Sequence, residues 1–334
     1  MNRFIRRLAV LLAAAGVYLM TAGSACDSLR TCLVEGPLEE RMKNVTLAEP
    51  RAPRKAAAAP VMLQTLSAPP RQEQPAAAEP GVGTVVETTI EGGMRIKNET
   101  EYWVDAAQIL SDGPGLTLPP DEPQILIIHT HASEAYTQSG ADRYSPSDTN
   151  RTEDTQFNVV RIGDELTEIL TEAGLNVVHD RGIYDYPSYT GSYMRTEAAI
   201  GQYLESCPGI RVVLDIHRDA LGSGDVVYKT MAEEEGAAAS QIMLLVGTDE
   251  SGLEHPYWRG NLAFAMYLQN AVNSAFPTLM RPVSLVSQRY NQQLTPGSLI
   301  VEVGSSGNTL REALTAIRLF GRAIAPALLD LVEW

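Results

Sequence analysis

Residues 125–136 read ILIIHTHASEAY. Four aliphatic side chains, three of them β-branched, run straight into two histidines and then a glutamate. A short unbroken apolar run bounded by Pro123 and polar residues predicts a strand buried on both faces, as in a parallel sheet covered by helices. The chain has 334 residues and only five histidines, so two of them in HTH at one strand end make a chemical feature as well as a structural one.

Outward from this stretch the pattern alternates. FNVVRIGDELTEILTEAG (157–174) carries apolar residues at helical spacing and stops at Gly174, a natural helix terminator. LNVVHD (175–180) and IRVVLDIH (210–217) read as strands on either side of the helical SYMRTEAAIGQYLESCPG (192–209). QIMLLVGTD, RPVSLVS and SLIVEVG are further strands, while RGNLAFAMYLQNAVNSAF and LREALTAIRLFGRAIAPALLDLV are helices. Strands alternating with amphipathic helices predict an α/β fold, a mostly parallel sheet flanked by helices.

In such sheets ligands bind beyond the carboxyl ends of the strands. Polar residues gather at those ends: His129, His131 and Glu134 after ILII; Asp215, His217, Arg218 and Asp219 in and after RVVL; Thr248 and Asp249 after IMLLV; Glu302 after SLIV. If all the strands share one direction, these residues converge on one rim. There is no CxxC pair among the three cysteines, so a metal would be held by imidazole and carboxylate. His131 and Glu134, at HxxE spacing, together with His217 would supply three ligands and leave a position for water. His129 lies two residues before His131 and is an alternative ligand or a hydrogen-bonding support. Glu302, set in an apolar strand, is the candidate general base. Asp215 reads as a hydrogen-bond partner of His217, and Arg218 as a partner for an oxyanion or a substrate carboxylate. Tyr136, Tyr189 and Tyr193 are candidate groove residues. His179, at a strand end, and His255, in a loop, are weaker candidates.

The remainder of the chain has a different character. MNRFIRRLAVLLAAAGVYLMTAGSAC places Arg3, Arg6 and Arg7 before an uncharged stretch from Leu8 to Cys26. That stretch is close to the roughly 20 residues that span a bilayer, with its positive flank on the cytoplasmic side. A retained anchor, a cleaved signal and a lipid anchor at Cys26 all export the rest of the chain. Residues 35–95 are rich in Ala, Pro, Gln and Glu without hydrophobic period, which predicts a disordered tether between an anchor segment (1–34) and a catalytic domain (96–334). Cys207 stands isolated in the sequence. A net charge of −15 excludes a nucleic-acid partner.

ILIIHTHASEAY, FNVVRIGDEL, VLDIHRDA, MLLVGTD and YNQQLTPGSLIVEVGSSGNTLREA together resemble the stage II sporulation protein P family, in the same order over about residues 96–334. The resemblance implies a zinc-dependent peptidoglycan hydrolase. It would cleave the N-acetylmuramoyl-L-alanine amide, and also peptide cross-links, to thin the septal wall during engulfment. It implies membrane attachment through the N-terminal segment with an extracytoplasmic catalytic domain. The implied partners are stage II sporulation proteins D and M. The zinc histidines would be His131 or His129 and His217, with Glu302 catalytic. Amidases of the broader superfamily take their acidic ligand from the start of the following helix, which points to Glu153 or Asp154. Related zinc carboxypeptidases use HxxE, which points to Glu134. A zinc carboxypeptidase or endopeptidase confined to stem peptides, and a catalytically silent wall-binding scaffold, are the competing expectations.

Overall fold

A computed structural model describes residues 45–47, 84–223 and 225–333. The segment read as an anchor, residues 1–34, lies outside them. Among the described residues no helix is long and apolar enough to cross a membrane.

In chain order the strands are Val45–Leu47 (β1), Thr84–Thr88 (β2), Ile96–Asn98 (β3), Ile125–Ile128 (β4), Val177–Asp180 (β5), Val212–Asp219 (β6), Gly222–Ser223 (β7), Val226–Glu234 (β8), Ala237–Ser240 (β9), Ile242–Gly247 (β10), Val283–Val286 (β11) and Gly297–Ser305 (β12). The helices are Ala106–Asp112 (α1), Val159–Glu172 (α2), Ser192–Ser206 (α3), Trp258–Ala275 (α4) and Leu310–Leu329 (α5).

The main sheet has the order β1-β5-β4-β6-β12-β10-β11-β3, and a smaller sheet joins β2, β8 and β7 with β9 beside β8. The fold is α/β, with a mostly parallel main sheet flanked by helices. The pairings β5–β4, β4–β6 and β6–β12 are parallel, as are β10–β11 and β11–β3. β12–β10 is antiparallel, so apart from the edge strand β1, which runs antiparallel to β5, the sheet consists of two parallel blocks running in opposite directions. This corrects one expectation: Thr248 and Asp249, after β10, lie at the rim opposite the ends of β4 and β6. An apolar run is the same in either direction, and only the connection through β8 and β9 reverses it.

Each element has a local cause. All four residues of β4 are buried because both faces are covered. Val159, Ile162, Leu166 and Leu170 give α2 one apolar stripe. Its start is capped by Asn158, whose side chain accepts from the Val160 amide at 3.0 Å. α5 opens with a reciprocal capping box between Thr309 and Glu312.

One face of the sheet packs through Ile127, Leu214, Val301 and Leu244 against α2, α4 and α5. The other face, through Leu126, Ile128, Val178 and Val213, is covered by α3. Side chains alternate along β6, so Leu214 and Ile216 join the first face while Asp215 and His217 point to the second.

Two short strands, β1 and β2, fall within the stretch read as a tether, where they extend sheet edges. The other residues from 35 to 83 lie outside the described ones. Cys207, read as isolated, is disulfide-bonded.

Candidate active site

β4 delivers its chain beside β6, with Ile128 opposite Asp215. The next residues turn immediately: the Glu134 amide donates to the His131 carbonyl at 3.0 Å, closing the HxxE segment. The Val159 amide, in the first turn of α2, donates to the Glu134 carbonyl at 2.9 Å. Glu134 is therefore fixed from both sides. On the far side of β6, β12 runs in parallel register and puts Glu302 opposite His217.

These elements bring His131, Glu134, His217, Asp215 and Glu302 to one place. The His131 and His217 rings meet edge to face with centroids 5.3 Å apart. His217 lies between two carboxylates: its Nε2 is 2.9 Å from Asp215 Oδ1, and its Nδ1 is 3.5 Å from Glu134 Oε2. Thr130, the residue between the two histidines, steadies Asp215 through its amide at 2.8 Å and its hydroxyl at 2.6 Å.

The electrostatics follow from burial and charge pairing. Burial favours neutral His217, but Asp215 and then Glu134 outweigh it and hold its pKa well above the usual value. Burial alone would raise Glu134, yet Arg218 and His217 draw it down to about 2. Burial takes His131 down to about 4, so its ring is a neutral nitrogen donor at neutral pH. Glu302 is raised to about 8 by burial, only partly countered by the cation of His217. Its Oε2 is sealed from solvent without a hydrogen-bond partner, and so is Nδ1 of His131.

His129 is placed elsewhere. It is fully buried, with Nδ1 3.1 Å from the Ile216 carbonyl and Nε2 2.8 Å from Nε2 of His179. His179 in turn faces Asp164 at 3.3 Å. Gly163 of α2 leaves the space: a Cβ there would sit 2.5 Å from the His179 nitrogen and 2.7 Å from that of His129. Asp154 is exposed and accepts from the Gln156 amide at 3.0 Å, a turn contact. Glu153 is exposed as well. His255 is buried in the loop before α4.

Arg218 is engaged by backbone rather than open. Its Nε donates to the Ala135 carbonyl at 3.0 Å and its Nη2 to that of Asn150 at 3.1 Å, while its amide donates to Glu134 Oε2 at 3.1 Å. It therefore braces the segment that carries Glu134. Tyr136 is a core residue, donating to the Val303 carbonyl at 3.0 Å, and lines no groove. Tyr189 stacks on His131 at 4.4 Å and is 57% exposed, and Tyr193 meets the same ring edge-on at 5.4 Å.

Sequence reading missed Arg151 and Asp185. Arg151 reaches Asp185 Oδ2 at 2.7 Å and Glu134 Oε1 at 3.3 Å, and lies 5.1 Å from the Tyr189 ring centre. Neither residue belongs to a motif, and only the fold brings them to the HASE turn. Arg281, equally unmarked in sequence, is buried and bridges to Asp219 at 2.7 Å.

A nitrogen and carboxylate donor set with an orphaned buried imidazole nitrogen suits a divalent metal of the zinc type. As the side chains stand among the described residues, no group of three or more His, Cys, Asp or Glu is arranged to hold an ion.

Known proteins share parts of this chain. Stage II sporulation protein P of Bacillus subtilis (strain 168) is 24% identical over 207 residues, 58% of this chain and 48% of that protein. The chain thus spans about half the length of that curated relative. Solved structures with similarity include the N-acetylmuramoyl-L-alanine amidase AmiC2 of Nostoc punctiforme, at 14% identity and a TM-score of 0.36, covering 62% of this chain and 96% of that one. The apo amidase Ami1 of Mycobacterium abscessus has 12% identity and a TM-score of 0.37, covering 63% and 99%. A metallo-carboxypeptidase of Burkholderia cenocepacia has 10% identity and a TM-score of 0.31, covering 63% and 57%. The stage II sporulation protein P family model matches residues 53–325, most of the length, and the chain belongs to that family.

Proposed function

We propose that this protein is a metal-dependent peptidoglycan hydrolase of sporulation, cleaving the amide between the muramoyl lactyl group and L-alanine. The observation that carries this reading is the cross-strand placement of Glu302 opposite His217, with His131 and Glu134 turned into the same cluster. Membership of the stage II sporulation protein P family supports a wall-hydrolysing role in sporulation.

His131, Glu134 and His217 would hold the metal, which we take to be zinc. When bound, such an ion polarises the scissile carbonyl and acidifies the attacking water. The protein's own residues do the rest. Asp215 holds the Nε2 edge of His217 at 2.9 Å by charge and leaves Nδ1 turned to Glu134, which sets the ring's orientation. Arg218 and Arg151 fix Glu134 from backbone and side chain. Glu302, with no internal hydrogen bond on Oε2, would ionise beside the bound cation, then take a proton from water and return it to the leaving amine. Tyr189 and Tyr193 wall the cleft beside His131 and would position the substrate.

The same reading takes residues 96–334 as the catalytic domain, held outside the membrane by the N-terminal segment and working with stage II sporulation proteins D and M. Digestion of purified sacculi by the full chain tests the chemistry. Release of intact stem peptides with a free L-alanine amine supports amide cleavage. Shortened stems with every lactyl amide intact would replace it with a peptidase reading.

A further inference from the structure

The carboxyl ends of β10, β11 and β3 lie at the rim opposite the histidine cluster, because this block runs antiparallel to β12. An aromatic patch is built there. The Tyr102 ring stacks on Trp258 with centroids 4.9 Å apart, and the Arg259 guanidinium lies 4.1 Å from the Trp258 ring centre. Tyr102 donates its hydroxyl proton to Asp249 at 2.8 Å, and the Glu101 amide donates to Glu250 at 2.6 Å.

The next residue, Trp103, is 81% exposed. The short loop that presents it is locked: Thr100 donates its amide to Asn98 Oδ1 at 3.0 Å, and Asn98 Nδ2 donates to the Tyr102 carbonyl at 2.7 Å. A bare indole on a pinned loop is presented to solvent, not left there by fraying. A shallow, open depression of about 470 Å³ lies beside it, lined by Asn98, Glu101, Tyr102, Trp103 and Val104 among others. An aromatic wall with a few polar groups is a usual lining of binding sites, and its open form suits a chain laid across it.

Charge narrows the ligand. Glu101, Asp249 and Glu250 border the patch and outnumber its cation, Arg259, on a chain of net charge −15. Anionic polymers such as nucleic acids or phosphate-bearing wall polymers are repelled. An uncharged sugar has an apolar CH face that stacks on an indole, and hydroxyls that donate to carboxylates. We infer that the Trp103–Tyr102 patch binds the N-acetylated sugar backbone of the wall, at the rim opposite the catalytic cluster. The identity of the polymer rests on the hydrolase reading, while the sugar-binding chemistry rests on the patch itself. A strand held at this rim keeps the enzyme on its polymer while the other rim works on a stem.

Titration of the full chain with a β-1,4-linked N-acetylglucosamine hexamer tests this directly. The probe has no lactyl amide, so its binding is independent of catalysis. Saturable binding is expected, followed by tryptophan fluorescence and calorimetry, and Trp103→Ala should weaken it roughly ten-fold. The same variant should cut a small soluble muropeptide at the wild-type rate and intact sacculi several-fold more slowly. No binding of the hexamer, or equal binding by Trp103→Ala, overturns the inference and leaves a protein partner as the occupant. If the hexamer binds in this way but neither substrate is cut, the sugar site stands and the hydrolase reading falls.

Discussion

Glu302 of β12 lies directly across from His217 of β6 in parallel register, the one a partly buried acid and the other a buried imidazole held between two carboxylates. Residues 85 positions apart are thereby joined by a single strand pairing. Exchanging Glu302 for Gln keeps the shape and removes the proton acceptor. Hydrolysis should fall by about a hundred- to ten-thousand-fold, with metal content unchanged by elemental analysis.

The same substitution has a stability signature in the chelated protein. Burial raises the Glu302 pKa from 4.5 to about 8. Between those values the folded chain binds more protons than the unfolded one, so this residue costs stability as pH rises from 4.5 to 8 and no further above it. Glu302→Gln should therefore raise the melting temperature at pH 8 and change it little at pH 4.5. Thermal scans of the chelated variant at the two values check the sign.

Much of this site could be read from the sequence because its residues follow unbroken apolar runs. ILII, RVVL and SLIV predict buried strands, and the histidines, Asp215 and Glu302 follow from their ends. What could not be read depends on direction and tertiary contact. The apolar pattern of IMLLV is blind to strand polarity, which put Thr248 and Asp249 on the wrong rim. VVYKTMAEEEGAAAS becomes the β8–β9 hairpin, although its Ala and Glu have poor strand propensity. Tyr136 and Arg218 look like site residues in sequence, but hydrogen bonds to backbone carbonyls turn one into the core and the other into a brace. Nothing near Asp185 announces that it will meet Ser133 and Arg151.

Asp215 acts through His217. Asp215→Asn keeps the size but removes the charge that orients Nε2. Metal affinity should drop by about 10- to 100-fold, and activity should return when zinc is raised in proportion. A competition titration against a fluorescent chelator gives the affinity directly.

Gly163 inverts the usual helix rule. In an exposed helix Gly→Ala gains up to about 1 kcal/mol. Here the added methyl would collide with the His129–His179 pair, so Gly163→Ala should destabilise by about 1–3 kcal/mol through overpacking. Denaturant unfolding measures the difference.

Tyr189 covers His131 while remaining half open to solvent. Tyr189→Ala should leave unfolding stability within about 0.5 kcal/mol of the parent, as for exposed positions. Its effect should appear as a raised KM on soluble substrate, measured by steady-state kinetics.

Metal-dependent cleavage of the muramoyl amide is the reaction proposed for the His131, Glu134, His217 and Glu302 cluster. Mass analysis of sacculi digested by the full chain, with and without a chelator, tests it most directly. Intact stem peptides with a free L-alanine amine are expected, abolished by chelation and restored by zinc. Undiminished digestion in chelator, or products in which every lactyl amide survives, would contradict it.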